Sequence, residues 1–243
     1  MDKLKELQDV IDHSQNIVFF GGAGVSTESN IPDFRSSDGV YSVTLGRHFT
    51  AEQLVSHTMF ERYPEDFFDF YKKYLLYPDA KPNVAHRYLA WLEQTGKLKA
   101  VVTQNIDSLH EMAGSKKVLK LHGSADRNYC TGCQRFYDLE AFLALAGTIP
   151  HCLDCGKVVK PDVTLYEEPL DMDVFSQAAR AIQEADLLII GGTSLVVYPA
   201  ASLIQYFQGK NLVVINKTSI QQDKQADLVI EGKIGQVFSK LRQ

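Results

Sequence analysis

The chain has 243 residues, of which 45% are hydrophobic and 23% charged, a balance typical of a folded protein and not of a disordered one. Its 25 basic and 30 acidic side chains give a net charge of −5, which favours neither nucleic acid nor an anionic membrane as the main partner. No apolar run reaches the roughly 18 residues of a membrane helix, and residues 1–15 predict an amphipathic helix and not a signal peptide. We therefore expect a cytoplasmic protein.

Short apolar runs alternate with helical stretches along the chain. The apolar runs predict strands at 17–20, 100–102, 118–121, 187–190 and 212–215. The segments between them, such as 85–94 and 200–208, have the spacing of helices. This alternation predicts an open α/β fold with a parallel sheet and right-handed crossovers.

Two segments interrupt the alternation and predict a second, smaller lobe. Residues 39–80 are helical and rich in aromatic side chains, and residues 125–160 contain all the cysteines. The sheet domain is then expected to comprise 1–38, 81–124 and 161–243. A cleft between two lobes is a common place for a ligand.

The cysteines form two pairs, Cys130-x2-Cys133 and Cys152-x2-Cys155, with 18 residues between the pairs. Disulfides are a poor explanation in a reducing cytosol, whereas two such pairs are typical of a zinc site. Four thiolates complete the zinc tetrahedron and leave no position for water or substrate. We therefore expect a structural zinc, one per chain.

Glycine-rich and polar residues follow several of the predicted strands. The first strand leads into residues 21–27, where Thr27 stands in place of the third glycine of the dinucleotide fingerprint, so this motif alone also fits a simple tight turn. A second glycine loop, 191–194, and Asn216 follow two later strands. Together these strand ends predict one extended ligand across the carboxyl edge of the sheet.

Two further strand ends contain polar residues suited to catalysis. Residues 103–110 contain more polar groups than helix capping explains, since capping would use one of them. His122 follows another strand beside Gly123, where a histidine can face a cleft.

These motifs together resemble the sirtuins, the family of NAD-dependent protein-lysine deacylases. The matching segments, in the family's order, are 22–26, 31–35, 103–107, 122–123, the two cysteine pairs, 160–163 and 192–195. The resemblance covers nearly the whole chain. It implies a Rossmann-like domain with a smaller lobe made of a helical module, here 39–80, and a zinc-ribbon module, here 125–160.

The resemblance also implies which residues bind NAD as the co-substrate. They are Ala23, Thr27, Phe34, Arg35, Gln104, Ile106, Asp107, Thr193, Ser194, Asn216, Lys233 and Ile234. Phe34 would cover the nicotinamide ribose, Asp107 would bind the carboxamide of nicotinamide, and Asn216 would hold the adenosine half.

The implied catalytic residues are His122 and Asn105, with His122 as the general base for a ribose hydroxyl. The products would be nicotinamide, free lysine and O-acetyl-ADP-ribose. Acetylated proteins or peptides would bind as an added strand along Val163, Thr164, Leu165 and Tyr166. Without the resemblance, that alternating segment also fits an ordinary core strand.

Two other functions remain open on the same residues. One is an NAD-dependent protein ADP-ribosyltransferase, and the other is a non-enzymatic zinc-ribbon module that senses NAD. The sequence also departs from the family pattern, with Gly21 for threonine, Lys160 for arginine and Glu167 for glycine, so the peptide groove is expected to differ locally. Sirtuins that favour acidic acyl groups share a Tyr-x-x-Arg pair, and residues 71–74 here end in tyrosine instead.

Overall fold

The computed structural model describes residues 2–33, 39–40 and 49–242. In these ranges the α-helices are α1 (Lys3–His13), α2 (Ala51–Leu54), α3 (His57–Arg62), α4 (Pro64–Tyr74), α5 (Val84–Gln94), α6 (Leu109–Ala113), α7 (Leu139–Leu143), α8 (Met172–Gln183) and α9 (Ile234–Phe238). The strands are β1 (Ile17–Gly21), β2 (Leu98–Thr103), β3 (Val118–Lys120), β4 (Gly123–Cys130), β5 (Phe136–Tyr137), β6 (Val159–Val163), β7 (Leu187–Gly191), β8 (Asn211–Asn216) and β9 (Leu228–Glu231). Short 3₁₀ helices lie at Ala23–Val25, Thr27–Ser29, Ala200–Tyr206 and Gln221–Lys224.

Six parallel strands form the main sheet in the order β3-β2-β1-β7-β8-β9, which confirms the predicted α/β fold. Every residue of β1 and β7 is buried, because helices cover both faces. Side chains of α1, α5 and α9 pack on one face, and those of α8 and Ala200–Tyr206 pack on the other. Gly21 pairs with both Thr103 and Gly191, so three strands end at one level of the sheet edge.

A separate apolar core joins the helical segment to the cysteine-containing segment. The aromatic side chains of α4 pack against one another and against Phe142 of α7, with ring centroids of Phe68 and Phe142 6.4 Å apart. The cysteine-containing segment adds an antiparallel sheet in the order β5-β4-β6. This shared core is the observation that supports the predicted smaller lobe, while the boundaries of the two domains remain a prediction.

The structure differs from the predicted elements at three places. The edge strand β9 was not predicted, because four residues with alternating burial give a weak signal. The helical stretch predicted at 200–208 is a 3₁₀ helix over Ala200–Tyr206. The predicted strand 163–166 ends at Val163, and after it the chain turns toward α3, where Tyr166 forms an isolated bridge with Ser56.

Among the described residues, the helices are too short or too polar for any of them to cross a membrane.

Candidate active site

A cavity of about 980 Å³ lies at the carboxyl edge of the six-stranded sheet. The loops after β1, β2, β7 and β8 line one side of it. Residues of α4 and the segment 163–168 line the other side. The cavity therefore lies between the sheet and the smaller core, where the sequence predicts a ligand.

The two glycine loops contact each other directly at the floor of this cavity. The backbone N–H of Gly24 donates a hydrogen bond of 2.8 Å to the carbonyl of Gly192. A Cβ atom on Gly24 would lie 2.8 Å from the Cα of Gly192, and one on Gly192 would lie 2.5 Å from the nitrogen of Val25. Gly192 also has a φ of +60°, a conformation that glycine adopts without a steric penalty. Larger residues would separate the loops, so both glycines keep backbone groups close to the cavity.

Hydrogen bonds between side chains join the loops after β2, β7 and β8. The Asn216 side chain accepts from the N–H of Thr193 at 3.0 Å and donates to its carbonyl at 2.9 Å. The Thr193 hydroxyl in turn donates to Oε1 of Gln104 at 2.8 Å. The buried Nε2 of Gln104 has no hydrogen-bond partner among the described residues. Because an orphaned buried donor is costly, this amide fits a ligand that presents an oxygen at the cavity wall.

Ser26 connects the first glycine loop to the polar residues after β2. Its hydroxyl accepts from the side-chain amide of Asn105 at 3.1 Å and donates to Oδ2 of Asp107 at 2.9 Å. The other carboxylate oxygen of Asp107 accepts from the N–H of Leu109 at 3.1 Å. Burial raises the pKa of Asp107, and the hydrogen bonds from Leu109 and Ser26 and the positive charge of Lys120 oppose that rise. These contacts hold an acceptor group at the cavity wall.

His122 lines the cavity just beyond β3, and the backbone fixes its tautomer. Nδ1 lies 2.8 Å from the carbonyl oxygen of Gln104, so Nδ1 carries the proton and donates it. Nε2 is then the acceptor of the ring. Burial lowers the pKa of His122 and the hydrogen bond to Gln104 raises it, with burial the larger effect. The ring is therefore neutral at pH 7 and is able to accept a proton.

The segment after β6 forms one rim of the cavity. Val163 pairs with Gly123 in the antiparallel sheet, and the N–H of Thr164 donates to the carbonyl of His122 at 3.0 Å. Glu167 has a φ of +76°, which suits glycine better than glutamate. Its carboxylate accepts from the N–H of Thr58 at 2.9 Å and from the Thr58 hydroxyl at 2.6 Å, at the beginning of α3. These bonds anchor the rim to α3.

The four cysteine sulfurs form a compact group outside the cavity lining. All four Sγ atoms lie within 4.8 Å of one another, and the cysteines are not joined in disulfides. The Sγ atoms are 3.3 Å apart for Cys130 and Cys155 and 3.6 Å apart for Cys133 and Cys152. A zinc–thiolate tetrahedron requires an edge of about 3.8 Å. The backbone N–H of Gly132 donates to Cys130 Sγ, as suits a thiolate, and the arrangement therefore fits one structural zinc.

The cavity wall includes nearly all the sequence-predicted site residues. They are Ala23, Thr27, Gln104, Asn105, Ile106, Asp107, His122, Val163, Thr164, Leu165, Tyr166, Thr193, Ser194, Asn216, Lys233 and Ile234. Phe34 and Arg35 lie outside the described residues. Ser26 and Lys217 also line the cavity, and the sequence pattern did not predict them as site residues. Their positions beside Thr27 and Asn216 were the available signals, but a serine or lysine next to a motif is too common to single out.

Comparison with known proteins agrees with the family resemblance found in the sequence. Residues 22–199 match the model of the Sir2 family. A relative from Clostridium perfringens, named NAD-dependent protein deacetylase, is 63% identical over 241 residues, which are 99% of this chain and 98% of the relative. A relative of the same name from Staphylococcus aureus is 42% identical over 98% of this chain and 97% of the relative.

Solved structures match over nearly the full length as well. One is a Sir2 protein with a deacetylated p53 peptide and 3′-O-acetyl-ADP-ribose, with a TM-score of 0.89 and 36% identity over 97% of this chain and 96% of that one. Another is a Sir2 protein with a p53 peptide and NAD⁺, with a TM-score of 0.87 and 36% identity over 98% and 96% of the two chains.

Proposed function

The chain belongs to the Sir2, or sirtuin, family, and we propose that it is an NAD-dependent protein-lysine deacetylase. The reaction transfers the acetyl group of acetyl-lysine to ADP-ribose, consumes water and releases nicotinamide, lysine and O-acetyl-ADP-ribose. The observation that carries this proposal is the position of His122 in one cavity with Asp107 and the rim that begins at Val163. The cavity thus combines a base, an acceptor for nicotinamide and a rim for a peptide.

The cavity wall suits NAD in several respects. Backbone groups of the two glycine loops would approach the phosphates near Ala23 and Thr27, because Gly24 and Gly192 permit close contact. The orphaned Nε2 of Gln104 supplies a donor for a ribose oxygen. When bound, NAD supplies the ribose that receives the acetyl group as nicotinamide leaves.

The remaining NAD contacts follow from the family resemblance. Thr193, Ser194 and Asn216 are assigned to the adenosine half, and the backbone near Lys233 and Ile234 to the adenine. By the same resemblance, Phe34 would cover the nicotinamide ribose and Arg35 would reach the pyrophosphate side of NAD.

Nicotinamide recognition is assigned to Ile106 and Asp107. The Asp107 carboxylate already accepts from Ser26 and Leu109, and a carboxylate has further lone pairs for the NH₂ of a carboxamide. The side chain of Ile106 packs against the smaller core and lines the cavity. An apolar contact and one acceptor together suit the flat nicotinamide ring with its amide.

His122 is proposed as the general base for a ribose hydroxyl. The Gln104 carbonyl holds the ring with Nε2 as the acceptor, and the lowered pKa keeps that acceptor unprotonated at neutral pH. Asn105 is proposed to act beside it, with a side chain that Ser26 orients at the same sheet edge.

The peptide substrate is proposed to bind along Val163, Thr164, Leu165 and Tyr166. This rim ends β6 at the cavity, and Tyr166 is 38% exposed. Backbone pairing gives affinity with little demand on the peptide sequence. The zinc bound by the four cysteines would hold the smaller lobe in shape and takes no part in the chemistry. The cytoplasmic location and the lack of a nucleic-acid partner remain predictions.

Incubation of an acetylated peptide with and without NAD tests the proposal. We expect mass spectrometry to show a deacetylated peptide and O-acetyl-ADP-ribose only when NAD is present. Use of NAD labelled in the adenosine half distinguishes the alternative, because an ADP-ribosyltransferase would leave the label on protein. An acetylated peptide that stays unchanged with NAD would contradict the proposal.

A further inference from the structure

Lys120 is a buried lysine for which the proposed reaction has no role. It is the last residue of β3, two positions before His122, and its side chain is only 7% exposed. Lysine is almost never fully buried unless its charge is paired, because removal of an ammonium from water is costly. Its contacts therefore need a physical explanation.

The ammonium group of Lys120 contacts one acceptor for each of its three protons. Nζ donates to the Ser108 hydroxyl at 2.8 Å and to the Ser124 hydroxyl at 3.1 Å. It also forms an ion pair of 3.0 Å with Glu111 of α6, which is partly exposed. The ammonium is thus fully satisfied inside the protein.

These contacts join the two segments that contain the proposed functional groups. Ser108 directly follows Asp107, and Ser124 comes two residues after His122. The buried charge of Lys120 therefore connects the loop that contains Asp107 to the segment that contains His122.

The charge of Lys120 also acts on the Asp107 carboxylate. Lys120 lowers the pKa of Asp107 and Glu111 raises it, against the larger effect of burial. The neighbouring rings of His110 and His86 have lowered pKa values because they are buried, so they are neutral at pH 7. Lys120 is thus the positive charge that counters the burial of Asp107 among the groups described around it.

We propose that Lys120 is a positioning residue for nicotinamide recognition. Its ammonium holds the loop that contains Asp107 and Ser108 against the segment that contains His122 and Ser124. It also favours the carboxylate form of Asp107. This inference rests on the proposed function. It assigns Lys120 no contact with NAD or peptide, and neither the cavity wall nor the family resemblance identifies it.

The substitution Lys120→Met tests the inference, because methionine keeps the apolar stem and removes the charge. The measurement is the nicotinamide inhibition constant as a function of pH, with an acetylated peptide and NAD as substrates. Because the ammonium lowers the pKa of the Asp107 carboxyl, we expect inhibition in the variant to weaken below a higher pH than in the parent protein. The inhibition constants of the two proteins should differ most at low pH and least at high pH. Lys117→Met, at an exposed lysine of the same segment, should leave the profile unchanged.

If Lys120 had only a structural role, the pH profile of nicotinamide inhibition would be different. If Lys120→Met weakens inhibition equally at every pH, or leaves the profile unchanged, the inference is overturned. If the variant fails to fold by circular dichroism, Glu111→Gln decides, because it removes the negative charge that opposes Lys120. The profile of Glu111→Gln should then move to lower pH, and a fixed or rising profile would overturn the inference. A parent protein without NAD-dependent deacetylation would instead contradict the proposed function.

Discussion

At the scale of single residues, the proposed chemistry depends on how the backbone holds one histidine. The Gln104 carbonyl fixes His122 through Nδ1, and burial lowers its pKa below the ordinary value of 6.5. A general base must be unprotonated to act, so in its proposed role His122 is active at neutral pH and loses activity as pH falls through that lowered pKa.

The substitution His122→Ala is therefore expected to lower kcat for deacetylation by about 10²- to 10⁴-fold, since loss of a general base typically has this effect. NAD binding and the circular dichroism spectrum should change little. His13→Ala, at an exposed histidine of α1, is the matched control. Turnover of the His122 variant near that of the parent protein would remove His122 from the mechanism.

The substitution Asp107→Asn is expected to raise both the nicotinamide inhibition constant and the KM for NAD by about tenfold. An amide at this position presents a donor as well as an acceptor to the carboxamide. Asp171→Asn is the control, because the Asp171 carboxylate also accepts from backbone N–H groups at the beginning of a helix but lies outside the cavity lining. If both constants are unchanged in Asp107→Asn, Asp107 serves only to accept from the N–H of Leu109 at the beginning of α6.

Acyl preference is expected to follow from the side chains of α4. Tyr71 and Tyr74 line the cavity, and the negative charge of Asp126 acts on Tyr71. Lys72 donates to the carbonyl of Gly147, and Lys73 lies over the Tyr74 ring, 5.2 Å from its centroid. The described residues of α4 thus place no cation in the cavity for an acidic acyl group. A buried carboxylate without such a partner is unfavourable by several kcal/mol.

We therefore predict that kcat/KM for an acetyl-lysine peptide exceeds that for the same peptide with succinyl-lysine by at least about 100-fold. Tyr74→Arg should narrow this ratio, because a guanidinium binds a carboxylate with two hydrogen bonds. Equal use of the two peptides by the parent protein would show that a lysine or another cation reaches the acyl group.

The sequence predicted which residues lie at the site better than it predicted the hydrogen bonds between them. Asp107 and His122 stand at strand ends, and parallel strands bring such ends to one edge, so their proximity follows from the fold. Ser26 and Lys120 act through hydrogen bonds between loops that are far apart in the chain. No local pattern shows which distant groups a serine or lysine will meet, and for this reason their contacts needed the structure.

At the scale of elements, the zinc ribbon shares its apolar core with the helical segment. Cys130 and Cys152 are buried while Cys133 and Cys155 are exposed, so the metal would lie at the edge of that core. A segment of this kind usually depends on its metal for stability.

The substitution Cys133→Ser is expected to abolish zinc binding and to lower Tm by about 5–10 °C. Thr131→Ala, in the turn between the first two cysteines, is the control that should retain the metal. Zinc content by mass spectrometry and Tm by calorimetry are the measurements. A Cys133 variant with less than one zinc per chain and an unchanged Tm would show that the ribbon is stable without metal.

At the rim of the cavity, the sequence pattern predicts the wrong end for a strand. Alternation predicted a strand through Tyr166, but β6 ends at Val163 because the chain then pairs with the beginning of α3. Glu167 anchors that turn through Thr58, which lies about 110 positions earlier in the chain. Contacts at such separation are decided by packing and not by local pattern.

At the scale of the whole molecule, the buried pair His86 and His110 makes stability depend on pH. The ring centroids are 4.7 Å apart, and burial lowers the pKa of both, that of His86 from 6.5 to about 4. Unfolding exposes the rings and restores an ordinary pKa, so the unfolded state binds more protons as pH falls below 6.5. The contribution of His86 to the free energy of unfolding is therefore fully present above pH 6.5 and is lost as pH falls toward 4.

We predict that His86→Gln flattens the fall of unfolding free energy between pH 6.5 and pH 4, the interval between the two pKa values of His86. The contribution of His86 is about 3 kcal/mol over that interval. Glutamine retains an acceptor for the Asn83 N–H that His86 now binds. Urea unfolding at several pH values measures the slope, and His13→Gln is the control. Equal slopes for His86→Gln and the parent protein would mean that the pair does not titrate on unfolding.

The ratio of products formed in one reaction tests the central claim most directly. With an acetylated peptide and NAD, we predict deacetylated peptide, nicotinamide and O-acetyl-ADP-ribose in equal amounts, because each transfer consumes one NAD. Nicotinamide release without O-acetyl-ADP-ribose, or with ADP-ribose attached to protein, would contradict it.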